Sequence, residues 1–325
     1  MTYELSKRLV IGVASSAMFD LCESDQVFRS KGEEQYRKYQ SENINNPLQK
    51  GTAFSFVKRL LSLNDLSDNP KEDPLVEVVL LSRNDPETGL RVMKSIEHYK
   101  LPISRAIFMQ GKSPYDYIPA LSISLFLSGN LVDVRKAISR GYPAGHVLPS
   151  AIIDDETDDL RIAFDFDGVL ADDESETVMH ESNDLTKFHN HETKNILQSH
   201  NPGPLKEFLV KISNIQKIEE EKKKTKKKYK NRLRVSIVTA RNAPSHERAL
   251  NTLRGWGVMA NDAFFLGGVD KGLVLGVLQP HIFFDDQSSH LNSTSKVAPS
   301  VHIPFGVKNK EGVIEEQDLE QSIAN

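Results

Sequence analysis

Residues 161–170 read RIAFDFDGVL, an apolar run that ends in two carboxylates and a glycine. An uninterrupted apolar run of this kind is typical of a buried strand in a parallel sheet. Asp165 and Asp167 follow its carboxyl end, where open α/β sheets bind their ligands. Because side chains alternate along an extended chain, the two carboxylates share one side. Such a pair is costly unless a cation or a shared proton separates the charges, although an ordinary pair of loop aspartates is the simpler alternative.

The bulk composition fits an intracellular globular protein. The chain has 325 residues, enough for two domains of ordinary size. A net charge of −4 gives no overall basic field for nucleic acid, and the single cysteine, Cys22, excludes an internal disulfide and fits a reducing compartment. The apolar stretch at residues 9–14 is too short for a signal peptide, and no apolar run reaches the roughly 18–20 residues of a membrane span. We therefore expect a cytoplasmic protein that is not bound to a membrane.

Strands and helices alternate along the chain, which predicts an α/β fold with two Rossmann-like parallel-sheet halves. Four apolar runs predict the strands of the first half: residues 9–13, 76–81, 106–108 and 121–127. Four more predict the strands of the second half: residues 161–164, 235–238, 263–266 and 282–284. The predicted domains are a degenerate half at 1–150, a catalytic half at 151–310 with a cap insertion at 171–233, and a tail at 311–325.

The two halves are related by a constant offset. Arg83 and Arg241 are 158 positions apart (241 minus 83), and the same offset relates Asn84 to Asn242, Pro86 to Pro244 and Phe126 to Phe284. A fixed offset over more than 40 residues indicates an internal duplication. At the positions that correspond to Asp165, Asp167, Lys271, Asp285 and Asp286, the first half has uncharged residues: Gly12, Ala14, Ser113, Leu127 and Ser128. The first half is therefore expected to be a scaffold or to face the substrate.

The predicted insertion begins with an acidic stretch and contains four histidines whose spacing does not favour a metal site: His180, His189, His191 and His200. Its position after the first catalytic strand, above the carboxyl edge of the sheet, is suitable for a lid. An amphipathic pattern over 205–215 is followed by a lysine run at 222–228. The lysine run favours a solvated helix end over a phosphate or nucleic-acid site.

Four strand ends of the second half are expected at one edge of its sheet. They carry the side chains of Asp165 and Asp167, of Thr239, of Lys271, and of Asp285 and Asp286. Hard carboxylate oxygens without Cys or His suit Mg²⁺. A hydroxyl, a lysine and the backbone amides of a loop through Ala240 suit the oxygens of a phosphoryl group. Arg241 binds the phosphate or forms a structural ion pair, and the sequence leaves both open. Arg83 and Asn84 are weaker candidates for contacts with the substrate.

These motifs resemble those of the haloacid-dehalogenase-like phosphohydrolases, since the DxDG motif, a strand-end Thr, a Lys and an acidic pair appear in that family's order. More closely, the chain resembles the cytosolic type I 5′-nucleotidase family over most of its length. The matching stretches are residues 80–86 and 88–91, 173–176, 239–244, 264–268 and 283–287. The resemblance implies a Mg²⁺-dependent hydrolysis of nucleoside monophosphates such as AMP or IMP.

The resemblance also implies a role for each motif residue. Asp165 would be the nucleophile and a metal ligand, and Asp167 the general acid/base with its backbone carbonyl on the metal. Thr239 and Lys271 would hold the phosphate. Asp286 would be a direct or water-bridged metal ligand, with Asp285 supporting or sharing that role.

Two other functions stay open at this stage. The same chemistry suits a phosphatase of sugar phosphates or other small phosphomonoesters. The other alternative is a nucleotide-binding or nucleic-acid-associated protein that binds through the lysine run and whose phosphatase site is vestigial. Because the preferred interpretation is an enzyme, no nucleic-acid partner is expected. The oligomeric state is not determined by the sequence, which is compatible with a homo-oligomer.

Overall fold

A computed structural model describes residues 3–152, 154–155 and 157–309 of the chain. The predicted tail at 311–325 lies outside these residues. The chain divides into two compact units, Met1–Asp133 and Val134–Asn325. Both units combine mostly parallel strands with helices, so the predicted mixed α/β class is confirmed. None of the helices that the structure describes is long and apolar enough to cross a membrane.

The first unit contains four parallel strands in the order β3-β2-β1-β4. Their bounds are β1 (Leu9–Ala14), β2 (Val76–Ser82), β3 (Arg105–Phe108) and β4 (Leu125–Ser128). Its helices are α1 (Ser15–Met18), α2 (Cys22–Glu42), α3 (Phe54–Ser62), α4 (Leu90–His98) and the start of α5 (Leu131–Ser139). Every residue of β1 and β2 is buried, which explains their nearly unbroken apolar sequences.

The second unit contains six strands in the order β5-β10-β9-β6-β7-β8. Their bounds are β5 (Ala144–Val147), β6 (Leu160–Phe164), β7 (Leu233–Thr239), β8 (Asp262–Phe265), β9 (Ile282–Asp285) and β10 (Ser300–His302). Among the strand pairings that the structure describes in this unit, the pairing of β5 with β10 is antiparallel and the others are parallel. Neither β5 nor β10 was predicted, since both are short and each includes a histidine that interrupts the apolar pattern.

The helices of the second unit cover both faces of its sheet. They are the rest of α5, α6 (Glu174–Ser182), α7 (Leu185–Lys194), α8 (Lys206–Thr225), α9 (His246–Gly255), α10 (Lys271–Leu278) and α11 (Ser288–Thr294). On one face Phe208 of α8 packs against Phe164 and Phe284, with ring centroids 5.9 and 6.0 Å away. On the other face Leu275 of α10 packs in a cluster with Ala163 and Phe283. Because side chains of β6 alternate between the two faces, Phe164 packs against α8 on one face and Ala163 packs against α10 on the other.

The stretch predicted as an insertion, residues 171–233, contains α6, α7 and α8. The amphipathic pattern of α8 is confirmed, because Phe208, Leu209, Ile212 and Ile215 are all buried. The lysines at 223, 224 and 226–228 are exposed at and beyond the carboxyl end of this helix. Positive charge at a helix carboxyl end is favourable, so a solvated helix end accounts for the run.

Candidate active site

Asp165 is held at the carboxyl end of the central strand. Its N–H donates to the carbonyl of Phe284 on β9 at 2.8 Å, so the backbone stays paired one residue beyond β6. Its Oδ1 accepts from the N–H of Phe166 at 2.7 Å, and its Oδ2 lies 2.6 Å from Nζ of Lys271. The residue is 3% exposed. Burial and the charges of Asp285 and Asp167 raise the pKa of Asp165 to about 6, against the opposing effect of Lys271.

Lys271 is a cation shared by two buried carboxylates. It is the first residue of α10, where the side chain of Asp270 accepts from the N–H of Gly272 and caps the helix. Its Nζ lies 2.6 Å from Oδ2 of Asp165 and 2.7 Å from Oδ2 of Asp285. Burial alone would lower the pKa of the ammonium, but the two carboxylates outweigh it and raise this pKa. Lys271 is therefore a charged residue of the site and not a surface lysine.

The acidic pair after β9 divides into one satisfied and one unsatisfied carboxylate. Asp285 accepts from Lys271 and from the N–H of Gln287 at 2.8 Å, and Nδ1 of His290 lies 3.2 Å from both of its oxygens. Asp286 is fully buried, and neither of its carboxylate oxygens has a hydrogen-bond partner among the described residues. Burial and the charges of Glu176, Asp165 and Asp285 raise the pKa of Asp286 well above its usual range.

An unpaired buried carboxylate is costly, and a hard divalent cation is a suitable partner for it. Asp165, Asp285 and His290 also form a compact group with ligand atoms within 4.8 Å of one another. However, Nζ of Lys271 already provides the positive charge between these two aspartates. The unsatisfied oxygens of Asp286 are therefore a better candidate for a metal ligand than this group, and metal binding by Asp286 stays a prediction.

Gly168 leaves room for the Asp286 side chain. Its φ of +69° lies in the left-handed region, where a residue with a Cβ is strained. A Cβ added to Gly168 would lie 2.6 Å from Cγ of Asp286. The glycine that follows the two carboxylates is thus needed both for the turn and for the close approach of Asp286.

We expect the Gly168→Ala variant to be destabilised by about 1–3 kcal/mol, because the added methyl group meets strained backbone and the Asp286 carboxylate together. Chemical denaturation of the purified protein measures this difference. The matched control is Gly276→Ala within α10, where the nearest atoms to the added Cβ are 3.9 Å away. Alanine is the better helix former by up to about 1 kcal/mol, so the control should not be destabilised. Equal losses in both variants would contradict the proposed close approach.

Asp167 is held by Arg241, which follows β7. Nη2 of Arg241 donates to Oδ1 of Asp167 at 2.6 Å and Nε donates to Oδ2 at 2.7 Å. Nη1 of the same guanidinium donates to Oε2 of Glu192 and, at 3.3 Å, to the carbonyl of Ser245. The structure thus shows the ion-pair alternative for Arg241. A phosphate contact by its side chain stays a prediction.

The other predicted phosphate-binding residues surround the same strand end. Thr239 is the last residue of β7 and is buried, and its hydroxyl accepts from the N–H of Arg241 at 3.2 Å. Ala240, between them, is exposed. The structure thus brings Asp165, Lys271, Asp285 and Asp167 with Arg241 to one region, and binding of phosphate by Thr239 and Ala240 stays a prediction.

The weaker candidates Arg83 and Asn84 follow β2 in the first unit, as predicted. Arg83 donates through Nε to Asp133 at 2.8 Å and through Nη2 to the hydroxyl of Ser113 at 2.6 Å. Asn84 accepts from the hydroxyl of Tyr36 at 3.3 Å. Their contacts with a substrate stay a prediction.

Glu176 belongs to the same cluster, and its position there was not predicted from its sequence context. It lies on α6, and its Oε1 accepts from Nε2 of Gln287 at 2.6 Å, while Oε2 is buried without a hydrogen-bond partner among the described residues. Burial and the charges of Asp167 and Asp165 raise the pKa of Glu176 to about 8. The stretch at 173–176 matches the family, but its composition does not distinguish Glu176, because acidic residues are common on exposed first turns of helices.

Glu192 of α7 was also missed. Its side chain is fully buried and contacts Arg241, Nη1 of Arg248 at 2.9 Å, the hydroxyl of Ser175 at 2.8 Å and Nε2 of His200 at 3.4 Å. Burial would raise the pKa of Glu192, but His200 and Arg241 outweigh it and hold this pKa below its usual range. A glutamate in a polar helix is ordinarily exposed, so only the tertiary structure reveals this contact set.

We expect Glu192→Gln to lower the free energy of unfolding at pH 7 by about 3–5 kcal/mol, since two buried arginines lose their shared partner. Because the folded state lowers the pKa of Glu192, its contribution is present above the usual glutamate pKa of about 4.3 and is lost at lower pH. The difference between wild type and variant should therefore shrink below about pH 4. Denaturant unfolding at several pH values measures it. The control is Glu174→Gln, whose half-exposed side chain also contacts Arg248. An equal, pH-independent loss in both variants would contradict the prediction.

A comparison with known protein families identifies the chain. The model of the 5′-nucleotidase family matches residues 1–310. The chain belongs to the 5′-nucleotidase family. Among curated proteins, this family member is similar to human cytosolic 5′-nucleotidase 1B, and the two are 34% identical over 309 residues. The aligned region covers 92% of this chain and 49% of the human protein. The chain thus spans about half the length of the curated relative. No solved structure gives a significant match.

Proposed function

We propose that the protein is a Mg²⁺-dependent 5′-nucleotidase that hydrolyses nucleoside 5′-monophosphates, such as AMP or IMP, to nucleoside and phosphate. The observation that carries the proposal is the buried contact of Asp165 with Lys271, at the strand end that also bears Asp167. The family match over residues 1–310 supports the substrate class. The name of the human relative supports a cytoplasmic location.

The reaction proceeds in two steps on Asp165. Its carboxylate attacks the phosphorus, the bond from phosphorus to the 5′-oxygen breaks, and protonated Asp167 gives its proton to that oxygen. Asp167 then takes a proton from water, which attacks the aspartyl phosphate and releases phosphate and free Asp165. Lys271 offsets the negative charge that collects around the phosphoryl group. Thr239, Ala240 and Arg241 are the further candidates for holding its oxygens.

The donor set fits Mg²⁺, because it consists of carboxylates and a backbone carbonyl. We infer that Asp165, the carbonyl of Asp167 and Asp286 hold the ion, with Asp285 in a supporting position. The unsatisfied, buried oxygens of Asp286 support this division, as does the occupation of Asp285 by Lys271, Gln287 and His290. When bound, Mg²⁺ supplies positive charge that stabilises the phosphoryl oxygens during transfer.

We also propose that the two units arose by internal duplication and that α6 and α7, within the predicted insertion at 171–233, form a cap, whereas α8 of the same stretch packs on the sheet. The first unit has the strand order β3-β2-β1-β4, and four strands of the second unit have the corresponding order β8-β7-β6-β9. This shared topology and the constant sequence offset both support the proposed duplication. The contact of Glu192 in α7 with Arg241 supports a cap that reaches the catalytic strand ends.

The alternative is a phosphatase of the same superfamily that acts on a sugar phosphate or another small phosphomonoester. Phosphate release across nucleoside monophosphates, sugar phosphates and aryl phosphates, with Mg²⁺ and with EDTA, decides between the two. We expect the highest kcat/KM with a nucleoside 5′-monophosphate and no turnover in EDTA. Higher kcat/KM with a sugar phosphate would overturn the proposed substrate, and full activity in EDTA would overturn the metal requirement.

A further inference from the structure

Asp167 is oriented by a chain of buried contacts that begins on two helices outside the catalytic strand ends. Arg241 donates to both carboxylate oxygens of Asp167, at 2.6 and 2.7 Å. The planar fork of a guanidinium fixes the plane of a carboxylate, which an ammonium cannot do. Each oxygen keeps a further lone pair, so the clamped carboxylate is still able to carry or accept a proton. The orientation of Asp167 therefore depends on what holds Arg241.

Glu192 holds Arg241. Its Oε2 accepts from Nη1 of Arg241, the guanidinium nitrogen that does not contact Asp167. The side chains of Arg241 and Glu192 are 2% and 0% exposed, so solvent screens this ion pair little. The carbonyl of Ser245 is the other acceptor for Nη1, at 3.3 Å. Of the contacts that the structure describes for Nη1, Glu192 thus provides the charged one.

Three further side chains fix Glu192 from neighbouring elements. The hydroxyl of Ser175 on α6 donates to Oε1 at 2.8 Å, and Nη1 of Arg248 on α9 donates to the same oxygen at 2.9 Å. His200, before α8, lies 3.4 Å from Oε2 and is fully buried. Glu192 is thus constrained from several sides. The position of Arg241 therefore depends on the positions of α6 and α7, which hold the Glu192 carboxylate.

We propose that Glu192 is a positioning residue for proton transfer, acting through Arg241 on Asp167. This inference rests on the proposed function, in which Asp167 is the general acid and base. It implies that the helices α6 and α7 influence the chemical step and not only access to the site. A residue that supports folding alone would leave proton transfer by Asp167 unchanged.

A double-mutant cycle tests this inference on the full chain. Single-turnover phosphate release from a nucleoside monophosphate is measured for wild type, Glu192→Gln, Asp167→Asn and the double variant, at a temperature where all are folded. We expect Glu192→Gln to slow the reaction about tenfold or more, within the range that general acid–base catalysis contributes. In the Asp167→Asn background the same substitution should cost less than about twofold, because the group it positions is already lost. Effects that multiply would overturn the inference.

Glu174→Gln is the matched control, since Glu174 contacts Arg248 at 3.1 Å and has no contact with Arg241 among the described residues. It should leave the rate within about twofold of wild type. Should Glu192→Gln fail to fold, Ser175→Ala replaces it in the cycle, because it removes one hydrogen bond to Glu192 and no ion pair. Its expected slowing is about two- to tenfold, again absent in the Asp167→Asn background.

The proposed function is tested separately in the same samples. Trapping of a phosphorylated wild-type protein, absent from Asp165→Asn, supports the aspartyl-phosphate mechanism. Failure to trap it, together with an active Asp165→Asn variant, would overturn the proposed function itself. Normal trapping combined with multiplying effects of Glu192→Gln and Asp167→Asn would overturn only the positioning role.

Discussion

Asp165→Asn is expected to lower phosphate release by about 10⁴-fold or more while the protein stays folded. An amide is a poor nucleophile, so the first step of the proposed reaction stops. The fold should persist because Lys271 keeps Asp285 as a partner at 2.7 Å, and because one of several clustered carboxylates is removed. Phosphate release at saturating nucleotide and Mg²⁺, together with the denaturant midpoint, measures both expectations.

The matched control for this variant is Asp262→Asn at the start of β8. Asp262 pairs with Arg234 at 2.6 Å and lies at the opposite end of its strand from the site. The same chemical change there should leave kcat/KM within about twofold of wild type, as is usual for a surface ion pair. An Asp165→Asn variant that keeps a tenth or more of wild-type activity would refute the nucleophile assignment.

Lys271→Met is expected to cost about 3–5 kcal/mol of stability, because it leaves two buried carboxylates without their shared cation. Methionine has a similar length and fills the space without charge. The remaining folded protein should also lose about 10²–10³-fold in kcat, since Lys271 no longer offsets the charge of the phosphoryl group. Chemical denaturation and phosphate release at a temperature below the unfolding transition give the two numbers separately.

Lys187→Met on α7 is the control for this prediction. Lys187 is exposed, and its substitution removes the same single positive charge. Its stability should change by less than about 0.5 kcal/mol, as for most surface substitutions. If Lys271→Met were as stable as this control, the ion pairs with Asp165 and Asp285 would not contribute as the geometry indicates. A Lys271→Met variant that is stable but inactive would support the catalytic role of Lys271 and contradict its contribution to stability.

The strand ends of the site were predictable from the sequence because their signals are local. The apolar run before Asp165, the strand before Thr239 and the strand before Asp285 each end at a polar residue. Parallel neighbours then bring these ends together, as β6 does with β7 and β9. Lys271 was predictable by its place in the order of motifs, but its position between two aspartates required the tertiary structure.

Other features were not predictable because they depend on partners distant in sequence. Glu192 is 49 residues from Arg241, and nothing in its polar helix distinguishes it from an exposed glutamate. Whether Arg241 forms an ion pair likewise depended on where the Asp167 side chain lies, which the sequence does not show. Strands β5 and β10 were missed because a glycine, a serine and two histidines interrupt their short apolar patterns.

The backbone hydrogen bond from Asp165 to Phe284 has a consequence for how such a protein can diversify. It joins the proposed nucleophile to the strand that carries Asp285 and Asp286, so the spacing between them is a property of the sheet ladder. Changes in the helices between β6 and β7 leave this spacing untouched, and keeping Ser175 and Glu192 preserves the contacts to Arg241 and through it to Asp167. Residues 177–190 of α6 and α7 can therefore be varied by library selection with the reactive atoms kept in fixed register, and phosphate release across a substrate panel then measures whether these residues set substrate preference.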